Sequence, residues 1–431
     1  MSIKIHIDSV PLDVREQIMK DLQIEIEGSS FVYNSKSRFI YPIDVGENYA
    51  YIPLAYGKTC KGGPFERPKR ENYSNISCKF NGSLRDHQKE ITKEAISYLN
   101  KYWSCLLAGY PGIGKTAMSI YISTKVKMKV MIISHRIILI KQWEKSINKF
   151  CPDATVQILT AKSVMKDCDF YIMNATNVPK HDVNFYKNIG FLIVDEVHLI
   201  MAEGLSKCMQ RIVPRYVLGL SATPYREDGL NKLLDLYFGQ IKIYRKLFRK
   251  HHVYKIKTSF TPTVERTVNG TTNWGVILDS QAKNKARNEM IIRLVKKFPE
   301  RVFLILCKRK EQGYYLVRRF QEEGEDVTSL IGSQQEYEQK SRILVGTSSK
   351  TGTGFDHARL DAMILASDIQ AYFIQYLGRC MRTEKVIPII FDIVDVNPIL
   401  ENHFKVRRST YLEHGGNIKD FRENYPNFEV I

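Results

Sequence analysis

Eight consecutive residues, Gly109-Tyr110-Pro111-Gly112-Ile113-Gly114-Lys115-Thr116, constrain this chain more than any other stretch. They fit G-x-x-x-x-G-K-[ST] and lie between an apolar run, Ser104–Ala108, and a stretch with helical character, Lys115–Thr124. That context predicts a loop leaving a buried strand and entering a helix. Glycines in such a loop let backbone N–H groups converge on phosphate without interference from Cβ atoms. The helix start adds free donors and a favourable dipole. Lys115 has the reach for β- and γ-phosphate oxygens, and the Thr116 hydroxyl is suited to Mg²⁺, so the expected ligands are ATP and Mg²⁺. A glycine-rich turn before an ordinary helix is the plain alternative, and the full pattern in this context weighs against it.

The surrounding chain alternates apolar runs with amphipathic segments from Leu84 onward, which predicts parallel α/β sheets. Expected strands are Ser104–Ala108, Val130–Ser134, Asp169–Met173, Phe191–Asp195 and Tyr216–Leu220, with helices such as Lys115–Thr124 and Leu139–Lys149 between them. After the basic joining segment Arg245–His252 a second series follows: Val302–Cys307, Arg342–Val345, Ala362–Ala366 and Ile387–Val394. Residues 1–83 differ, mixing short β-like runs with a helix near Leu12–Leu22 and a Gly/Pro/Lys-rich loop over Gly57–Arg70. The expected fold class is α/β: two tandem parallel-sheet domains (84–245 and 246–395), a small N-terminal α+β accessory domain (1–83) and a helical extension (396–431).

Composition supports this reading and excludes others. With 431 residues and 44% apolar content the chain is long enough for two or three cores. Its formal charge of +18 suits a polyanionic partner. The longest apolar runs, such as 386–394, fall far short of the roughly 20 residues of a membrane span. The start, MSIKIHIDSV, is not a secretory signal. The eight cysteines are scattered with no C-x-x-C pair, so reduced thiols in an intracellular protein are expected rather than zinc sites or disulfides.

Eighty residues beyond the loop, the run Phe191–Val194 ends in Asp195-Glu196-Val197-His198. A carboxylate at the carboxyl end of a buried strand beside a phosphate loop is where a Mg²⁺-holding Asp belongs. Asp195 is assigned that role, Glu196 the polarisation of the attacking water, and His198 a relay to neighbouring elements. Further on, Gln375-Tyr-Leu-Gly-Arg379-Cys-Met-Arg382 places 375, 379 and 382 on one helix face. Two guanidinium groups so placed can stabilise charge developing on a γ-phosphate.

In this order and spacing the residues resemble the superfamily 2 helicases of the DExH type, over almost all of 84–395. The resemblance implies two tandem RecA-like domains whose cleft closes on ATP and opens on hydrolysis. Leu84-Arg-Asp-His-Gln88 resembles the LRxxQ element, which implies that Gln88 reads the adenine edge. Ser134-His135-Arg136 resembles a backbone-holding element for nucleic acid, with Gln142-Trp143 after it, and Thr176 sits at a further backbone contact. Ser221-Ala222-Thr223 matches the element coupling hydrolysis to domain movement. Thr347 to Asp356 resembles the fifth motif, with Thr347 on nucleic acid and Gly354 and Asp356 toward the nucleotide; Thr353 stands where the family often has an acidic residue. Asn284–Asn288 (NKARN) is similar to the entry of the second domain in the same subgroup.

The DEVH box with Gly219–Gly229 resembles the XPB and UvsW branch. Arg226-Glu227-Asp228 matches its RED element, linked there to unwinding; the same residues read equally as a helix N-cap with Arg226 exposed. Leu233–Gly239, Tyr372–Arg379, Asn402–Lys405 and His414-Gly-Gly resemble helicases of large cytoplasmic DNA viruses, related to the poxvirus transcript-release helicase. This implies a DNA-dependent ATPase moving 3′→5′ at single-strand/duplex junctions, in transcription or DNA repair, with a polymerase or transcription complex as a further partner and the host cytoplasm or virion as its location. RNA is the alternative track, and a translocase that remodels complexes without unwinding is the alternative activity. A non-catalytic scaffold fits poorly with intact Lys115, Asp195, Glu196 and Arg379. Tyr49, Tyr51, Tyr56, Lys58 and Lys61 read either as contacts to duplex DNA or as core tyrosines beside a solvated lysine loop.

Overall fold

A computed structural model of the chain describes residues 1–26, 38–63, 65–201, 210, 212–222, 231–334, 336–351, 357, 359–370, 373–381 and 386–422. The chain divides into two compact units, one made of Met1–Gly109 and Ile113–Arg245 and the other of Tyr110–Gly112 and Lys246–Ile431.

The first unit opens with β1 (Ser2–His6), α1 (Leu12–Asp21), β2 (Ile24–Ile26), β3 (Arg38–Ile40), β4 (Asp44–Val45), β5 (Tyr49–Pro53) and α2 (Leu54–Thr59). Strands β1, β5 and β4 form a small antiparallel sheet. In β1, Ile3 and Ile5 point inward while Lys4 and His6 face out, the two-residue period of a half-buried strand. Its apolar face is continuous with the main core of the unit: Ile3, Ile52 and Leu54 share one cluster with Leu106, Leu234 and Phe238. The backbone N–H of Ser2 donates to the Ile212 carbonyl at 2.9 Å.

The larger sheet follows from α3 (Asp86–Tyr102), β6 (Ser104–Gly109), α4 (Lys115–Val126), β7 (Val130–Ser134), α5 (Ile137–Phe150), β8 (Val156–Leu159), β9 (Phe170–Asn174), β10 (Phe191–Val194), α6 (Val197–Ile200), β11 (Tyr216–Ser221) and β12 (Lys242–Arg245). Its seven strands run in the order β12-β6-β11-β10-β7-β9-β8, parallel throughout. The central strands are covered on both faces, which is why they read as uninterrupted apolar runs rather than alternating ones.

The second unit repeats this plan with β13 (His251–Lys257), β14 (Phe303–Cys307), β15 (Val327–Leu330), β16 (Ile343–Thr347), β17 (Ala362–Leu365), β18 (Ile389–Val394) and β19 (Gly416–Arg422), ordered β15-β16-β14-β17-β18-β13-β19 and again parallel. Alternate residues of β14 feed two cores: Phe303, Ile305 and Cys307 one face, Leu304 and Leu306 the other.

The joining segment 245–252 reaches into both sheets, since Arg245 closes β12 and His251 and His252 open β13. The tail does form a helix, Pro398–Glu413, but the chain then turns at Gly415, whose φ of 90° suits glycine, and adds β19 to the sheet edge.

A buried charged network holds the second unit together. Arg407 donates to both oxygens of Asp392 at 2.8 Å and to Asp368 at 2.7 Å, and the Tyr411 hydroxyl donates to Asp392 at 2.9 Å. Arg287 reaches both oxygens of Asp395 at 3.0 Å, while Asn284 caps the following helix by accepting from the Arg287 N–H at 2.9 Å. The NKARN stretch is thus a helix cap followed by a buried ion pair.

Candidate active site

The first unit's sheet order places the ends of β6, β11 and β10 side by side. Neighbouring strands lie about 4.8 Å apart, so the phosphate loop after β6 and the acidic pair after β10 stand roughly 10 Å apart with Ser221 between them. Sequence separation of 80 residues collapses to one edge because the sheet is parallel and every crossover returns to the same side.

Gly112 and Gly114 adopt φ of 94° and 97°, so the loop needs glycine at both positions. At Gly114 a Cβ would also stand 2.2 Å from Gln88 Nε2. Gln88, 7% exposed, is engaged at both ends: its Nε2 donates to the Ile113 carbonyl at 2.8 Å and its Oε1 accepts from the Arg85 N–H at 3.0 Å. It clamps the start of α3 to the loop. Lys115 folds back onto the loop, donating from Nζ to the Gly109 carbonyl at 2.7 Å. Tyr110, Pro111, Gly112 and Ile113 form the arch between, with Thr116 in the first turn of α4.

Asp195 is buried and accepts from the indole Nε1–H of Trp143 at 2.8 Å. Burial and the neighbouring Glu196 carboxylate push the Asp195 carboxyl up to about 7, against the pull of Trp143 and Lys115. Glu196 sits in the left-handed region at φ 52°, a conformation that costs a non-glycine residue about 1–2 kcal/mol and is concentrated at functional sites. His198 shares a hydrogen bond of 3.0 Å with the Ser221 hydroxyl, both side chains buried, and its Nδ1 lies 3.5 Å from Glu196 Oε2. Ala222 follows, also buried.

On the next strands, Ser134 ends β7 with His135 and Arg136 after it. Arg136 donates to His135 Nε2 at 3.1 Å, and burial together with Arg136 and His198 holds the His135 imidazole down to about 4. Asn174, which pattern reading did not single out, joins two of the assigned positions. Its Nδ2 donates to the His135 carbonyl at 3.2 Å, while its Oδ1 accepts from the Thr176 N–H and hydroxyl at 3.0 and 2.8 Å.

Within the second unit, Thr347 closes β16 and Gln375 is buried in the short helix Phe373–Leu377, with Arg379 just beyond. The Tyr376 hydroxyl donates to the Ser348 carbonyl at 2.8 Å, fastening that helix to the residue after Thr347. Thr223, Arg226, Gly354, Asp356 and Arg382 lie outside the described residues.

The residues present fit a nucleotide with a divalent cation. Two glycines open the cradle, and a buried carboxylate raised toward neutrality by burial and a like charge is one that a cation would relieve.

The family model described as "Type III restriction enzyme, res subunit" matches residues 81–226, which span the loop, the DEVH box and Ser221. The chain is 38% identical over 451 aligned positions to "Putative helicase 161L" of Invertebrate iridescent virus 6, covering 98% of this chain and all of that one. The protein is a superfamily 2 helicase of the DExH type. The helicase also has relatives in the XPB and poxvirus groups. It is 28% identical to "DNA 3'-5' translocase XPB2" of Sulfurisphaera tokodaii, over 43% of each chain. It is 23% identical to "Transcript termination protein A18" of Yaba-like disease virus, over 87% of each. A solved structure, "S. cerevisiae Dbp5 bound to RNA and ADP BeF3", superposes with a TM-score of 0.55 over 78% of this chain and 90% of its own at 13% identity, and supports the tandem RecA-like fold. The helicase is an ATP-driven, nucleic-acid-directed enzyme. Among its described residues no helix is long and apolar enough to cross a membrane.

Proposed function

We propose that the helicase is a DNA-dependent ATPase that moves 3′→5′ from single-strand/duplex junctions and serves transcription or DNA repair. The observation that carries the ATP-coupled part is the His198–Ser221 hydrogen bond, which ties the acidic pair of β10 to the end of β11 beside the phosphate loop. The names of the XPB-type and A18 relatives support DNA as the track and transcription as the setting.

In this reading the loop 109–114 and Lys115 bind the phosphates, and Gln88 both holds the loop and meets the base. Glu196 takes the proton of the attacking water. Thr116 and Asp195 would hold a Mg²⁺, which would supply positive charge to neutralise phosphate oxygens. Ser134, His135, Arg136, Thr176 and Thr347 contact the nucleic-acid backbone, and Ser221 and Ala222 couple hydrolysis to movement. The family resemblance assigns Gln375 and Arg379 to ATP hydrolysis. The division into 1–83, 84–245, 246–395 and 396–431 assigns the accessory, ATP-binding, helicase C-terminal and extension roles.

ATP turnover measured with and without nucleic acid tests the first half. Stimulation is expected in the wild type and its loss in Lys115→Ala and Glu196→Gln; equal turnover in all cases overturns the reading. Strand displacement on DNA and RNA substrates with 3′ or 5′ overhangs tests the second half. Displacement confined to RNA, or to 5′-overhang substrates, replaces the track or the direction.

A further inference from the structure

The first unit carries a second concentration of cations at the edge of its sheet opposite the phosphate loop. Where β6, β7 and β11 begin, a cleft of about 220 Å³ is walled by Arg70, Asn100, Lys125, Arg215 and Tyr216 over an apolar floor that includes Met128. Beside it the Arg67 guanidinium lies over two rings, 5.0 Å from that of Trp103 and 4.9 Å from that of Tyr216, and Lys58 lies 4.8 Å from the Trp103 ring. Along β6 this edge is about 16 Å from Gly109, so the cluster is separate from the nucleotide loop.

Part of this cluster fastens the segment after α2 to the unit. Arg215 donates to the Pro68 carbonyl at 2.8 Å, and Arg70 to the Lys127 carbonyl at 2.6 Å. Fastening does not account for the rest. The Nε of Arg215 is buried with no hydrogen-bond partner among the described residues. Among the same residues, the ammonium groups of Lys58 and Lys125 meet only aromatic rings. None of Lys58, Arg67, Arg70, Lys125 and Arg215 is ion-paired with a carboxylate there. The cations instead bear on each other. Burial and Arg215 lower the Arg67 guanidinium from its ordinary value, and burial, Arg67 and Lys101 lower the Lys58 ammonium. Like charges held together beside aromatic walls and without counter-charge form a site that a polyanion relieves.

We propose that this cleft and its rim are a phosphate-binding site distinct from the ATP loop, taking the phosphodiester backbone of a nucleic acid. The choice of backbone over a free polyphosphate rests on the motor reading above and on the half-buried aromatic rim of Trp103 and Tyr216.

The test uses the full chain and the variant Lys58→Ala/Lys125→Ala, two side chains that donate no hydrogen bond to the fold. Binding of a labelled single strand and a labelled duplex is followed by anisotropy across a range of KCl. Each phosphate contact contributes about 0.7–0.9 to the slope of log K against log salt, so a loss of about 1–2 is expected, with Lys58→Arg/Lys125→Arg restoring it. A parallel arm measures thermal stabilisation by sodium tripolyphosphate in the Lys115→Ala background. Unchanged nucleic-acid slopes with tripolyphosphate stabilisation lost on alanine substitution identify a free polyphosphate as the source. Unchanged values in both arms overturn the site. Failure of the motor reading looks different, because wild-type protein would then bind neither strand nor duplex while the tripolyphosphate arm still reports.

Discussion

Trp143 donates its indole N–H to Asp195 Oδ2 at 2.8 Å, so a residue on the helix after β7 orients the acid at the end of β10. The ring is 2% exposed and packs in the core, which makes it both a structural and a positioning group. Trp143→Phe keeps most of the apolar volume and removes the donor. A hydrogen bond to a charged group contributes about 1.5–3 kcal/mol, so a loss of tenfold or more in kcat/KM for ATP is expected with a small change in Tm. Turnover equal to wild type would show that the bond orients nothing that matters to hydrolysis.

Ser221→Ala removes one hydrogen-bond partner of His198 and leaves the backbone pairing of the strand in place. The expected result is a separation of activities: ATP hydrolysis persists within a few-fold while strand displacement per ATP falls. Parallel measurement of phosphate release and displacement on one substrate reads this ratio, and a proportional fall in both contradicts the coupling role.

Gln88 clamps α3 to the loop through Ile113 and Arg85. Gln88→Glu keeps the acceptor for the Arg85 N–H and loses the donor to Ile113, so KM for ATP is expected to rise several-fold with kcat less affected. If Gln88 serves base reading alone, the change appears instead as a lost preference for ATP over GTP at unaltered phosphate affinity.

Arg407→Met leaves Asp392 and Asp368 in the core without the guanidinium they share. Removing one partner of a buried pair costs about 3–5 kcal/mol, which chemical denaturation will register as destabilisation of the second unit. Adding Asp392→Asn to the same variant is expected to recover part of that loss.

Burial holds the His251 imidazole below its ordinary value of 6.5, with the Arg249 carbonyl pulling the other way. The fold therefore accepts the neutral ring. Its contribution is fully present above 6.5 and is lost as pH falls from there through the lower folded value. The urea midpoint is expected to be flat above about pH 7 and to drop as the pH falls below 6.5. The drop should be shallower in His251→Asn, which keeps a donor for the Arg249 carbonyl; an identical drop assigns the effect elsewhere.

The glycine-rich loop and the strand-end carboxylates were legible because each is a run of contiguous residues. A phosphate loop has to be built from adjacent glycines and a lysine, and the carboxylates have to follow an apolar strand directly. Ser104–Ala108 and Val130–Ser134 were readable as strands because both faces of a central parallel strand are apolar. What escaped reading is what depends on partners far apart in sequence. Nothing near Asn174 announces that it bridges His135 and Thr176, and nothing in β19 (GNIKDFR) separates an edge strand from a charged tail. Arg287, Asp395 and Arg407 look like surface charges until the fold pairs them. Tyr56 shows the other direction: its hydroxyl donates to Asp21 at 2.8 Å, a packing role that its neighbourhood of lysines concealed.

Strand β13 lies between β18 and β19, and its register pairs His252 with Ile389 and His251 with Gly416. On an emerging chain, β13 therefore waits for partners made well over a hundred residues later, whereas the strand ends of β6, β10 and β11 are all synthesised before it. Ribosomal synthesis can thus complete the seven-stranded sheet of the first unit while β13 still lacks both of its neighbours.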